Sequence, residues 1–298
     1  MGGGSWTSSS YNDYTTTSRG MSATTFATMD SLSVQDVYRS HRLASELNPY
    51  KIVRECCDSE EHPYTLPVIL ALDVTGSMGD ASVKVAKKLN EIMTELYNSP
   101  KVKDIEFCIM GIGDLAYDGA PIQMSQFESD VRIAEQLDKI YFEAGGGGNR
   151  YESYSGAWYM GVYHSKLDCW KRGQKGIIIT MGDEGPNPYL PKSNLIRVTG
   201  DNLQSDIETK DLYAVAIQKY NIYHIAVDDD NSSYKWYQDS DNIDKKWKEI
   251  VGENNYFVAT LDNLAQTIIN IIVNNSSETI PITSSPGLNL NENNEVIW

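Results

Sequence analysis

The chain is short of basic residues: its 298 residues include 25 Lys and Arg against 41 Asp and Glu, for a formal net charge of −16. Nucleic acids bind to cationic surfaces, so this balance argues against DNA or RNA as a partner. The sequence also lacks any run of about 18 apolar residues, the length that a membrane-spanning helix needs. Composition therefore predicts no nucleic-acid partner and no membrane span, and it favours cations and basic protein surfaces.

Cysteine is scarce as well, with four residues in the whole chain. No two of them form a CxxC pair, and none belongs to a Cys/His cluster with zinc spacing. The adjacent Cys56 and Cys57 do not suit a disulfide framework in a chain of this length, so all four are interpreted as reduced thiols, with Cys108 packed in a strand. The N-terminus lacks the basic and apolar segments of a signal peptide, and we expect a cytoplasmic location.

Short apolar segments alternate with amphipathic ones through the middle of the chain. Strands are predicted at residues 65–74, 104–114, 175–183, 221–227 and 256–261, with a short edge strand within 120–128. Helices are predicted at 81–98, 129–143 (capped by Ser129 or Asp130), 152–170, 204–220, 242–252 and 263–275. The pattern predicts an α/β fold that is Rossmann-like and doubly wound, with a mostly parallel central sheet, one short antiparallel edge strand and helices on both faces.

The two ends of the chain differ from this middle part. Residues 1–63 are predicted to form an N-terminal arm and a lead-in helix at 33–48, residues 64–276 the main domain, and residues 277–298 a polar extension. The first 30 residues have the Ser-, Thr- and Gly-rich composition of a disordered segment. The aromatic side chains of Trp6, Tyr11 and Tyr14 leave open that this arm docks on another surface.

Three loops rich in side-chain oxygen follow predicted strands or enter a predicted helix: residues 73–77, 145–153 and 180–186. Ligands of parallel sheets bind at the carboxyl ends of the strands, where such loops converge. Oxygen-only ligands suit a hard cation, Mg²⁺ before Mn²⁺ or Ca²⁺. Each loop taken singly is better explained as an ordinary turn with a helix N-cap, since Asp, Ser and Thr serve that purpose as well. Three loops at corresponding strand ends favour a metal site.

The segment Asp73-Val-Thr-Gly-Ser77 resembles the metal-ion-dependent adhesion site (MIDAS) of von Willebrand factor A (vWA) domains, and the order of elements agrees over roughly residues 64–276. The resemblance implies Asp73, Thr75 and Ser77 as metal ligands and Asp183 as an outer carboxylate bonded through water. Residues 145–153 lack the Thr that many relatives place in the second loop and are more similar to intracellular A domains such as those associated with alpha-kinases. Asn149, Glu152 or Ser153 could supply that oxygen; Glu152 ranks first and Ser153 second.

 The resemblance implies a non-enzymatic, metal-dependent protein-binding module. In such a module the bound Mg²⁺ takes an Asp or Glu from a protein partner, within a multi-protein assembly. Two alternatives stay open. A metal-dependent hydrolase on the same sheet would use the metal to activate water, although the sequence has no GxSxG, no HExxH and no nucleophile paired with a His. A self-assembling structural subunit would use the arm and the tail, for example with Glu295 at the metal site of a neighbouring copy.

Overall fold

The computed structural model describes residues 4–19, 33–143, 149–229 and 234–276. The glycine run Gly145–Gly148 and the extension that carries Glu295 lie outside these residues. The strands are β1 (Arg54–Cys56), β2 (Leu66–Asp73), β3 (Ile105–Ile112), β4 (Ile122–Met124), β5 (Tyr151–Glu152), β6 (Ser165–Leu167), β7 (Gly176–Gly182), β8 (Gly185–Pro186), β9 (Tyr189–Leu190), β10 (Ile207–Glu208), β11 (Tyr220–Val227) and β12 (Tyr256–Ala259). The helices are α1 (Ser8–Arg19), α2 (Val34–Val37), α3 (Gly79–Asn98), α4 (Arg132–Asp138), α5 (Ser155–Tyr163), α6 (Lys192–Thr199), α7 (Thr209–Ala216), α8 (Tyr234–Asp241), α9 (Ile243–Val251) and α10 (Leu264–Asn275).

Six strands form the central sheet in the order β12-β11-β7-β2-β3-β4. All neighbours are parallel except β4, which pairs antiparallel with β3 at the edge. This arrangement confirms the predicted α/β class with its mostly parallel sheet and short antiparallel edge strand. The chain builds outward from β2 through β3 to β4, and then returns to place β7 on the other side of β2. The order of the strands therefore reverses between β2 and β7, the position where open parallel sheets bind ligands.

The sequence of β2 explains why it lies at the centre of the sheet. Its residues are apolar without alternation, the pattern of a strand that is covered on both faces. Val68, Leu70 and Leu72 pack on the face that carries α1, α3, α4 and α10. Ile69 and Ala71 pack on the opposite face, with the side chains of α5, α6, α7 and α9. Two helical layers thus enclose the sheet, as predicted.

Helix α3 follows the first site loop and confirms the predicted amphipathic stripe. Ala81, Val85, Leu89, Ile92 and Leu96 are all buried, at the three- and four-residue spacing of one helical face. The helix begins at Gly79, two residues before the predicted start, and ends at Asn98 as predicted. Its buried face fixes α3 against the sheet, and so fixes the position of the loop that precedes it.

The helix predicted at 152–170 is wrong in length. Helix α5 spans only Ser155–Tyr163, and the chain then forms β6 and a 3₁₀ turn at Asp168–Arg172. Strand β6 pairs in parallel with β1 of the lead-in, from Arg54↔Ser165 to Cys56↔Leu167. Pairing with a segment that is remote in sequence overrides the local helical pattern here.

Two other predicted helices are shorter in the structure for similar reasons. The helix predicted at 129–143 is reduced to α4, because both backbone groups of Tyr141 bond to the side chain of Gln123. The helix predicted at 33–48 is reduced to α2 and a 3₁₀ turn at Ser45–Leu47. Ser33 caps α2, and the chain leaves the helix at Tyr38, whose hydroxyl donates to the carbonyl of Ser82 in the core.

The remaining differences lie around residues 190–241. The helix predicted at 204–220 begins only at Thr209, because Ile207 and Glu208 pair with β9. Helix α6 was not predicted, and α8 occupies part of a segment whose Asp-rich start is typical of a solvated loop. Both helices are eight residues long. Such short segments offer too few turns for hydrophobic periodicity to identify them.

The N-terminal arm is ordered from Gly4 to Arg19 and docks on the domain, contrary to what its composition indicates. Trp6 is buried and donates from Nε1 to Oδ1 of Asn90 on α3 at 3.1 Å. Tyr14 donates to Oδ2 of Asp138 on α4 at 2.8 Å. Tyr11 packs on Trp6 with a ring-centre distance of 5.2 Å. The three aromatic side chains singled out in the sequence therefore hold the arm in place.

Two expectations from composition can be compared with the structure. No helix among the described residues is long and apolar enough to cross a membrane. All four cysteines are free thiols, and Cys108 is fully buried in β3, as predicted.

We expect Trp6→Ala to release the arm while leaving the sheet intact. Truncating a buried Trp costs about 3 kcal/mol, so amide hydrogens of α1 should exchange roughly 100-fold faster. Hydrogen exchange measured by mass spectrometry checks this, with the exposed Thr16→Ala as the matched control. Unchanged exchange in α1 of the Trp6→Ala variant would show that the arm is held by other contacts.

Candidate metal centre

Asp73 and Asp183 lie at the carboxyl ends of two adjacent strands. Asp73 is the last residue of β2, and Asp183 directly follows β7, which pairs with β2 up to Leu72↔Met181. Both carboxylates are fully buried. After Asp73 the chain turns through a 3₁₀ segment, Gly76–Met78, into α3, and Oγ of Ser82 on α3 donates to the carbonyl of Asp73 at 2.9 Å. The reversal of strand order thus brings the first and third oxygen-rich loops together.

Hydroxyl groups contact both carboxylates. Thr75 donates to Oδ1 of Asp73 from its backbone N at 2.9 Å and from Oγ1 at 2.5 Å. Ser77 donates from Oγ to Oδ1 of Asp183 at 3.1 Å. The structure therefore brings together four of the residues that the sequence predicts as ligands. Thr75 is buried, whereas Ser77 is half-buried and Gly76 is exposed, so the group opens to solvent at the tip of this loop.

Tyr154 is a member of the site that the sequence did not predict. Its hydroxyl donates to Oδ2 of Asp73 at 2.7 Å. The approach requires glycine at position 182, since a Cβ there would lie 1.8 Å from the Tyr154 hydroxyl oxygen. Tyr154 lies in an aromatic stretch whose pattern is typical of ordinary helix packing. Nothing in the neighbouring sequence indicates that its hydroxyl contacts Asp73.

Glu152 is the most unusual carboxylate of the group. It is 1% exposed, and its Oε2 makes no hydrogen bond among the described residues. Burial raises the pKa of Glu152, and Asp73, Glu184, Asp118 and Asp114 raise it further by repulsion. Burying a carboxylate without a partner is costly. Glu152 therefore has the burial and the unpaired oxygen that are typical of a metal ligand.

The other two second-loop candidates contact a different loop. Oγ of Ser153 accepts a hydrogen bond from the backbone N of Leu115 at 2.9 Å. Nδ2 of Asn149 donates to Oδ2 of Asp114, while its Oδ1 has no partner among the described residues. These contacts tie Ser153 and Asn149 to the loop after β3. Their role as metal ligands stays a prediction.

The charges of the site fit a cation. Burial raises the pKa of Asp73, and repulsion from Asp183 adds to the effect. Neither Asp73 nor Glu152 forms an ion pair with a Lys, Arg or His of the described residues. In the same part of the chain, no three Asp, Glu, His or Cys side chains are arranged to hold a metal by themselves. A cation here would depend on the hydroxyls of Thr75 and Ser77 as well, a mixed oxygen set that suits a hard ion.

Two histidines, His224 and His164, are buried among other side chains. His224 stacks on Trp247 with ring centres 3.5 Å apart, and its Nδ1 lies 2.9 Å from Oγ1 of Thr180. His164 lies between the carbonyl of Ile52 and the carboxylate of Asp201, each at 2.7 Å. These contacts account for both histidines as packing residues.

No model of a known protein family matches the sequence, and neither does any curated protein. Solved structures do match. The pilus adhesin SpaC from Lactobacillus rhamnosus GG, in its open conformation, is similar with a TM-score of 0.49 and 15% identity over 74% of this chain and 30% of that one. The vWF domain of the type V pili tip protein Mfa5 from Porphyromonas gingivalis is similar with a TM-score of 0.45 and 12% identity, over 74% of this chain and 98% of that one.

Proximal thread matrix protein 1 from the mussel byssus is also similar, with a TM-score of 0.44 and 9% identity over 76% of this chain and 49% of that one. The chain thus spans less than a third of the SpaC chain and about half of the mussel protein. All these TM-scores are below 0.5. The function proposed below therefore depends on the residues of this chain alone.

We expect Glu152→Gln to stabilise the metal-free protein by about 1–3 kcal/mol near neutral pH, because Glu152 must take up a proton when the chain folds and Gln does not. The pKa of Glu152 is raised in the folded protein above its usual value of 4.5. Its ionisation therefore disfavours the folded state, and the advantage of the variant should grow as the pH rises above 4.5. Urea unfolding in EDTA at several pH values measures this difference.

The exposed Glu95→Gln is the matched control and should leave stability unchanged. A Glu152→Gln protein that is no more stable than the wild type in EDTA at neutral pH would contradict the electrostatic account of the site.

Proposed function

We propose that this protein is a metal-dependent protein-interaction module, in which Mg²⁺ binds among Asp73, Thr75, Ser77, Asp183 and Glu152 and takes an Asp or Glu side chain from a partner. The observation that carries the proposal is that Asp73, Asp183 and Glu152 are all buried, with Asp73 repelled by Asp183 and Glu152 repelled by Asp73. Repulsion among these carboxylates disfavours the metal-free fold, and a divalent cation would remove it.

The hydrogen bonds of the site support a pre-arranged set of ligands. Thr75 and Tyr154 hold the two carboxylate oxygens of Asp73, and Ser77 holds Asp183. Such contacts fix the orientation of each oxygen before a cation arrives, which lowers the entropic cost of binding. Mg²⁺ is proposed before Mn²⁺ or Ca²⁺, because a small number of protein oxygens leaves it the water positions that it usually keeps.

The opening of the site supports the role of a partner carboxylate. Gly76 is exposed and Ser77 is half-buried, so the loop tip is accessible to another protein. Bound Mg²⁺ supplies positive charge at an otherwise acidic surface, and a carboxylate from outside can then complete its coordination. The chain's own residues position the cation and exclude water from its inner side.

The two alternatives from the sequence have less support. No described His or Cys donates to or accepts from Asp73, Thr75, Ser77 or Glu152 in the hydrogen bonds of the site, and a hydrolase would need a general base beside the metal. The hypothesis that Glu295 binds a neighbouring copy concerns a residue outside the described part of the chain. A cytoplasmic location and action within a multi-protein assembly belong to the proposal as well.

Isothermal titration with MgCl₂ and MnCl₂ tests the metal site. We expect one site per chain in the wild type and a loss of affinity of about tenfold or more in Asp73→Ala, since removal of one ligand costs at least about 1.4 kcal/mol. The exposed Asp80→Ala, at the start of α3, is the matched control and should retain binding. Equal binding by wild type and Asp73→Ala would contradict the proposal.

The partner carboxylate can be tested with N-acetyl-glutamate amide, followed by nuclear magnetic resonance. We expect the amide signals of Gly76 and Ser77 to shift in the presence of Mg²⁺, and not in EDTA or with N-acetyl-glutamine amide. Shifts that are the same with and without Mg²⁺ would show that the metal plays no part in capturing the carboxylate.

A further inference from the structure

Three tyrosines lie on loops at the rim of the candidate metal centre: Tyr117 follows β3, Tyr151 lies in β5 and Tyr189 lies in β9. We call them the tyrosine rim. The side chains of Tyr117 and Tyr189 are 64% and 39% exposed, and they are among the few large exposed hydrophobic residues of the described chain. Asn149 donates to Asp114 in the loop of Tyr117, and Tyr151 pairs with Gly185 shortly before Tyr189, so the three segments are in contact. Burial raises the pKa of Tyr151, and Tyr189, Asp114 and Tyr117 raise it further.

The loops that carry the tyrosine rim are fixed to one another. Leu115, two residues before Tyr117, receives a hydrogen bond at its carbonyl from Asn194 of α6 and donates its N–H to Ser153. Tyr151 pairs with Gly185 between β5 and β8. The carbonyl of Tyr189 accepts from Nδ2 of Asn187 at 3.1 Å. The tyrosine rim therefore lies on segments that are hydrogen-bonded to their neighbours, and Tyr151 directly precedes Glu152.

Exposed tyrosines elsewhere in the protein differ from the tyrosine rim in one respect. Lys51 lies over the ring of Tyr50 at 5.5 Å, and Arg172 lies over the ring of Tyr64 at 5.9 Å. Among the described residues, no Lys or Arg lies over Tyr117 or Tyr189. The faces of these two rings are thus open to a cation, which aromatic rings attract.

The surroundings of the tyrosine rim are acidic. Asp114 and Asp118 lie in the same loop as Tyr117, and the pKa of Asp118 is raised to about 6 by burial, with a further contribution from Glu143. Arg150 is the basic residue next to Tyr151 in the chain, and it pairs with Asp241 at 3.5 Å. The rim therefore combines open aromatic faces with negative potential, and both features favour a basic group from outside.

We infer that the tyrosine rim is a second contact surface for the partner, and that it takes a Lys or Arg side chain near the Asp or Glu that binds the metal. The inference rests on the proposed function, because the rim borders the metal site and would be occupied together with it. The recognised segment would thus carry both charges: a carboxylate for the cation and a basic side chain for Tyr117 and Tyr189.

Selection from short random peptides displayed on phage tests this inference. Peptides are bound in MgCl₂ and eluted with EDTA from the wild type, from Asp73→Ala and from the double variant Tyr117→Ser/Tyr189→Ser. From the wild type we expect enrichment of peptides with both Asp or Glu and Lys or Arg. From the double variant we expect Asp or Glu enrichment without Lys or Arg.

The outcomes separate this inference from the proposed function. The role of the tyrosine rim would be contradicted if the wild type enriched Asp or Glu without Lys or Arg. It would also be contradicted if the double variant enriched Lys or Arg equally. Neither result would contradict the proposed metal site. A failure to elute any peptide with EDTA from the wild type, or the same peptides from Asp73→Ala, would overturn the proposed function and this inference with it.

One selected peptide can then be measured by fluorescence anisotropy. Tyr117→Ser should weaken its binding about 3- to 30-fold, whereas Tyr117→Phe, which keeps the ring, should stay close to the wild type. Tyr64→Ser is the matched control: Tyr64 is also 64% exposed, but its ring already lies under Arg172. Replacing the peptide's Lys or Arg by Gln should abolish the difference between wild type and Tyr117→Ser. A difference that persists with the Gln peptide would contradict a cation contact.

Discussion

The burial of three carboxylates near the carboxyl end of β2 is the constraint on which the site depends. Asp73, Asp183 and Glu152 come from three separate loops, and each is almost completely removed from water. Burial and mutual repulsion raise the pKa of both Asp73 and Glu152. Burying such a cluster of carboxylates lowers the free energy of unfolding. The cation proposed above would offset this cost.

The core of the fold could be predicted from the sequence because its strands are long and apolar. Strand β2 and helix α3 are examples: one is buried on both faces, and the other shows a continuous stripe from Ala81 to Leu96. The first site loop could be predicted as well, since Asp73, Thr75 and Ser77 lie within five residues of one another. A local sequence pattern is sufficient to predict a strand, a helix or a loop whose residues are neighbours in the chain.

Contacts between remote segments could not be predicted in this way. Pairing of β1 with β6 shortens α5. Hydrogen bonds between the side chain of Gln123 and the backbone of Tyr141 keep α4 from continuing to residue 143. Tyr154 reaches Asp73 only because Gly182 leaves room for its hydroxyl. The docking of the arm through Trp6 depends on a surface formed by α3. Each of these outcomes is set by tertiary packing, which overrides the local preference.

A crystal structure with Mn²⁺, measured at the manganese absorption edge, tests the central claim most directly. We predict one anomalous peak between Asp73, Ser77 and Asp183, with metal–oxygen distances of roughly 2–2.5 Å to the direct ligands. Crystals of Asp73→Ala grown under the same conditions should lack this peak. An Mn²⁺ ion bound only elsewhere in the wild type, or a site that stays without metal at saturating MnCl₂, would contradict the account.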